Sequence, residues 1–202
     1  MLDLVLFVSG ASLILVTRTS FVVAAYVVLA ALTTAFVAPS AAHAPLPLTL
    51  FVASTTLKLV VAPVGIMLFL RANPLAGDLR PSIVLPGRLL LVIGFALTAR
   101  DVAHLSALRP IANADMAAFA ILCGAGMLIV HRNLLAHVLG LLVLGTGVTL
   151  AGAILAPNLP ESVELGATFD ALVATFIGLA LVRAFVAHDP LLDVESLQRL
   201  RG

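Results

Sequence analysis

The chain has 202 residues, of which 62% are hydrophobic and 10% charged, with a formal net charge of +1. Soluble domains are about 45–50% apolar and about 25% charged, so a water-soluble globular protein and a disordered chain are excluded. A balance this close to neutral leaves no footprint for a nucleic acid.

A bilayer-spanning helix needs about 20 mostly apolar residues. Apolar runs bounded by Pro, Gly and charges predict seven of them. The first covers 2–17 and ends at Arg18, and the second covers 20–38, stopped by Pro39. Residues 21–38 followed by Ala42-His43-Ala44 resemble a signal peptide. Residues 2–16 are already apolar without a basic start, so two spanning helices are expected instead. The third span is 47–70, closed by Arg71. A connector with Pro74, Pro81 and Pro86 leads to a fourth within 84–106, where Arg88, Arg100 and Asp101 crowd the ends. The fifth is 113–130, ended by His131-Arg132-Asn133; the sixth is 134–156; the seventh is 162–186. A tail from Asp189-Pro190 reads as a short amphipathic helix, with Asp189 as N-cap. The expected fold is an all-α polytopic membrane helix bundle of about seven transmembrane helices. It divides into a four-helix segment (1–112), a three-helix segment (113–188) and the tail (189–202).

Basic residues near span ends set the orientation. With the C-terminus inside, Arg18, Arg71, Arg80, Arg88, Arg132, Arg183, Arg199 and Arg201 face the cytoplasm, against Arg100 and Arg109 outside. The expectation is N-terminus out, C-terminus in. Tryptophan is absent and Tyr26 is the single tyrosine, a thin aromatic belt that suits a subunit surrounded by others. The lone cysteine, Cys123, and the scatter of histidines offer no metal-ligand spacing. No cofactor, metal or catalytic set is expected.

Ionisable groups inside the membrane carry the functional signal, since a charge near the bilayer centre costs several kcal/mol. Lys58 is the only lysine among eleven Lys and Arg residues. It falls about 15 Å into the third span at 1.5 Å per residue, and must be paired, neutral or facing water. Asp170 is the only acidic residue well within a span, at a depth differing from that of Lys58 by about 5 Å. Lys58 and Asp170 are therefore an expected ion pair, relaying protons or neutralising each other. Pro63, five residues beyond Lys58, frees a backbone carbonyl beside the lysine. Ser54, Thr55 and Thr56 are positioned for hydrogen bonds across helices. His137, one turn into the sixth span, reads as interfacial packing or a proton entry. His43, His104 and His188 read as solvated. Glycines on the last three spans, among them Gly124, Gly140, Gly147 and Gly152, read as helix-packing positions.

Residues 131–202 resemble the K subunit of respiratory complex I. The resemblance rests on His131-Arg132-Asn133-Leu134-Leu135, Gly140-Leu141, Ile177-Gly178-Leu179-Ala180-Leu181 and the Asp193-Val194-Glu195-Ser196-Leu197 ending that closes at Arg201-Gly202. The whole chain resembles the hydrogenase-4 component E family, through Lys58 followed by Pro63, Arg132-Asn133 and Glu164-Leu165-Gly166 leading to Thr168 and Asp170. The resemblance implies a non-catalytic subunit in the proton- or ion-translocating arm of a group 4 nickel–iron hydrogenase-type complex. Its partners would be antiporter-like and quinone-module-like membrane subunits within a bacterial cytoplasmic membrane. The chain departs from the K subunit, whose embedded glutamates correspond to Leu142 and Ala174, and from the hydrogenase-4 relative, whose glutamate corresponds to Gly145. An alternative is a subunit of a multisubunit cation/proton antiporter or related uptake complex. A third reading is an assembly scaffold.

Overall fold

The computed structural model describes residues 2–41, 45–72, 78–79, 81–104 and 113–155, with 173, 176–178 and 180–184 of a last helical stretch. It is an all-α membrane helix bundle. The helices are α1 (Leu2–Leu15), α2 (Thr19–Ala41), α3 (Pro45–Thr56), a π-helical turn (Leu57–Val61), α4 (Ala62–Ala72), α5 (Leu85–Ala103), α6 (Ala114–Val130) and α7 (Leu134–Leu155). The α3, π and α4 segments run on as one rod, the expected third span. Among the described residues, three helices are long and apolar enough to cross a bilayer: Thr19–Val37 of α2, Phe51–Ala72 and Leu134–Leu155.

These helices are apolar on every side, which suits burial in lipid as well as in a core. Leu90 is 70% exposed, Ile129 65% and Phe21 60%, while Tyr26, Leu29, Ile66 and Leu139 are fully enclosed. The outside of the bundle is thus as greasy as its centre. Backbone satisfaction in lipid then requires each rod to be helical along its length.

Successive helices run antiparallel, and their connections form a hydrogen-bonded layer at one end. Leu79 N–H donates to the Thr17 carbonyl at 2.7 Å, and Ser82 N–H donates to the Val130 carbonyl at 2.7 Å. Isolated bridges join Arg18 to Asp78 and Pro81 to His131. Leu79 and Ser82 therefore strap the loop after α1 to the loop after α6 and supply donors to carbonyls that a helix end leaves without partners. Asn133 caps α7: its side-chain oxygen accepts from Leu135 N–H at 2.8 Å, and its side-chain nitrogen donates to the Asp78 carbonyl at 3.4 Å. This end carries Arg18, Arg71, Arg88 and Arg132, the basic side of the bundle.

The most extensive helix contact is α6 with α7, and glycine makes it close. A Cβ on Gly124 would sit 2.5 Å from the Leu144 backbone nitrogen, and one on Gly147 would sit 2.7 Å from that of Ile121. Lipid supplies little hydrophobic drive between helices, so close backbone approach is where attraction accumulates. Gly152, also expected to pack, has nothing within 4 Å of such a Cβ. On the last helical stretch, Gly178 abuts Val138 of α7, and Val182 packs on Phe69, Leu70 and Leu134. We expect Gly147→Ala to lower stability by about 1–3 kcal/mol through overpacking, and Gly152→Ala to be neutral, in thermal unfolding in detergent. Equal effects would contradict the close α6–α7 approach.

Candidate functional site

The π turn is the local irregularity from which the site is built. Ala62 N–H donates to the Leu57 carbonyl, five residues back. The same spacing from the Lys58 carbonyl falls on Pro63, which has no N–H to give. A carbonyl left unpaired in a bilayer costs several kcal/mol. Here the Tyr26 hydroxyl of α2 donates to it at 3.2 Å. Tyr26 is fully buried, and Thr146 of α7 stands beside its hydroxyl. The tyrosine thus ties α2 to the middle of the third rod.

The Lys58 side chain leaves the same turn and reaches α7, where Nζ donates to Thr149 Oγ1 at 2.8 Å. Thr149 in turn donates to the Gly145 carbonyl at 3.0 Å, so its oxygen has lone pairs for the ammonium. Lys58 is about 20 Å from either end of the 45–72 rod at 1.5 Å per residue. It borders a cavity of about 10 Å³ whose walls include Thr33, Thr34, Ser54, Thr55 and Thr146, on the scale of a single water. Thr33, Thr34 and Thr146 each donate to a carbonyl four residues back on their own helix. Their hydroxyl protons are therefore spent, and their oxygens remain as acceptors. The site is a half-buried cation among hydroxyl acceptors at the meeting of α2, the π turn and α7.

A second polar cluster lies at the strapped end. Arg88, 6% exposed, donates from Nη1 to the Leu15 carbonyl at 2.7 Å and the Ile14 carbonyl at 3.5 Å. It closes the C-terminus of α1, where a cation is favoured. His131, 1% exposed, sits close by, and neither of its ring nitrogens nor Arg88 Nε has a hydrogen-bond partner among the described residues. Burial, with Arg88 and His137 nearby, pushes His131 down from 6.5 to about 4 against a smaller pull from the Leu13 carbonyl.

The sequence-expected residues separate accordingly. Lys58 is in the mid-bundle centre. Asp170 lies outside the described residues, as do His43, His188 and Ala174. His137 is half-buried and hydrogen-bonds through Nδ1 to the Asn133 carbonyl at 2.9 Å. A carbonyl only accepts, so Nδ1 carries the proton. His137 is about 18 Å along α7 from Thr149, so the structure does not bring it to Lys58. Thr56 bonds within its own helix, donating to Val52, whereas Ser54 and Thr55 line the cavity. Sequence reasoning missed Tyr26, Thr146 and Thr149 as site residues, and it placed Arg88 among the cytoplasm-facing bases, whereas the bundle buries it. A buried tyrosine and paired threonines in apolar runs were the available signal.

With this geometry in place, comparison adds a match over part of the chain. Residues 114–202 match the family model of NADH-ubiquinone/plastoquinone oxidoreductase chain 4L. The match begins at the first residue of α6 and supports a membrane subunit of a complex I-like assembly. No curated protein and no solved structure gave a match to the chain. The 4L-like segment contributes Thr146 and Thr149 to the site, and the helices before it contribute Tyr26 and Lys58.

Two outcomes follow for solution measurements. Tyr26→Phe removes the hydroxyl that donates to the Lys58 carbonyl and should cost about 1–3 kcal/mol. In a Pro63→Ala background the restored N–H supplies a helical partner, so the cost should fall by half or more; equal costs in both backgrounds would refute the link. His131 stays neutral in the fold down to about pH 4 but takes a proton near 6.5 when unfolded. The unfolded chain therefore binds more protons between those values, and stability should be lost as pH falls through that window. His131→Phe should flatten that stretch of the pH–stability curve.

Proposed function

We propose that this chain is a non-catalytic membrane subunit of a complex I-like assembly of the group 4 hydrogenase type, set in its proton- or ion-translocating arm. The observation that carries the reading is the 2.8 Å contact from Lys58 Nζ to Thr149. It joins a protonatable group at mid-bundle to the segment that matches chain 4L. A lysine there can hold a proton as an ammonium on hydroxyl acceptors and release it as a neutral amine. Asp170, at matching depth on the last span, is the proposed carboxylate partner. His137, at the basic end, is the proposed entry-side group. The basic strapped end faces the cytoplasm in this reading, giving N-terminus out and C-terminus in within a bacterial cytoplasmic membrane. Antiporter-like and quinone-module-like subunits are the proposed neighbours.

Affinity purification of the tagged chain in mild detergent, with co-purifying chains identified by mass, tests the assignment. Nickel–iron and iron–sulfur subunits beside antiporter-like ones are expected. Antiporter-like subunits with no redox partner would instead make it part of a cation/proton antiporter. Within the purified assembly, Lys58→Met should leave subunit composition and electron transfer in place and abolish coupled ion translocation. Unchanged translocation would leave only a scaffolding role.

A further inference from the structure

A second cavity, of about 190 Å³, opens at the end of the bundle opposite the strap, among α1, α5 and α6. Its walls include Leu6, Phe7, Met116 and Phe119, with Phe7 and Phe119 stacked at 5.0 Å between ring centroids. Arg100 and Asp115 line the same cavity. Both side chains are exposed, and neither has an ion pair or a hydrogen bond among the described residues. Each suits its own helix end, an arginine in the last turn of α5 and an aspartate in the first turn of α6. That placement accounts for the residue types. It does not account for a cation and an anion that share one apolar-floored groove and leave each other unpaired.

Both charges lie within about one turn of a helix end, the level at which lipid headgroups meet a spanning bundle. Leu97, Ile93 and Leu90, at helical spacing on α5, are 57%, 53% and 70% exposed. They extend an apolar stripe from Arg100 toward the middle of the rod. We infer that this groove binds one zwitterionic phospholipid bearing a primary amine. The guanidinium of Arg100 takes the phosphate, and the carboxylate of Asp115 takes the ammonium. One acyl chain enters the cavity over Phe7 and Met116, and the other follows the α5 stripe. An anionic lipid would meet Asp115 with a like charge, so the pair of charges selects as well as binds. The inference stands apart from the proposed role of Lys58.

The test is native mass spectrometry of the full chain in detergent, titrated with phosphatidylethanolamine or phosphatidylglycerol. One retained phosphatidylethanolamine is expected, bound more tightly than phosphatidylglycerol. Arg100→Gln should weaken both by about tenfold, as loss of a charge-assisted hydrogen bond implies. Asp115→Asn should erase the ranking, and Asp115→Glu should keep it. Ala96→Leu, which narrows the groove and leaves both charges in place, should abolish retention; it keeps the test informative if a charge variant misfolds. Absence of retained lipid, a preference for phosphatidylglycerol, or a ranking unchanged by Asp115→Asn would overturn the inference. Lipid held by the isolated chain yet missing from the assembled complex would assign the groove to a neighbouring subunit and overturn it too.

Discussion

A rod that crosses a bilayer has to satisfy its own backbone, and Pro63 prevents this rod from doing so at Lys58. Pro63 has no N–H for a π-spaced bond to the Lys58 carbonyl, and the Tyr26 hydroxyl donates to that carbonyl from α2. The same residue sends its ammonium the other way, to Thr149 of α7. Backbone and side chain of a single residue therefore hold three helices in register. π turns are frequent at functional sites because they present a free backbone group and shift the side chains that follow. Here the shift coincides with the single lysine of the chain.

Around that centre the bundle holds together by means suited to lipid. Gly124 and Gly147 bring α6 and α7 within backbone contact. Threonines on α2 and α7 spend their protons on their own helices and turn acceptors inward. At the strapped end the accounting is less complete. Arg88 closes the end of α1, while His131 stays buried with neither nitrogen partnered among the described residues. Burial disfavours charging His131, which is the basis for the loss of stability expected in acid.

The match to chain 4L begins at α6. The mid-bundle site belongs to neither part alone. Thr146 and Thr149 come from the 4L-like segment, and the Lys58 ammonium that Thr149 accepts comes from the third rod. Of the positions that carry glutamates in the families it resembles, Leu142 is buried apolar packing that serves only to accept from Thr146 through its carbonyl.

Lys58 and Pro63 were legible in the sequence because each violates its surroundings locally: a charge in an apolar run, and a residue with no N–H inside a helix. The spans were legible for the same reason, since twenty apolar residues are costly anywhere but in lipid or a core. Tyr26 and Thr149 were not, because they lie 32 and 91 residues from Lys58 and become partners only when α2 and α7 pack against the π turn. Arg88 looks from sequence like an ordinary cytoplasm-facing base, and only packing against the end of α1 encloses it. Composition and local chemistry determined that the chain is a helical membrane bundle and that Lys58 is a charge within one of its apolar runs. Tertiary packing decided which hydroxyls receive that charge, because hydrogen bonds across helices depend on rotation and depth, which periodicity does not encode in helices apolar on every side.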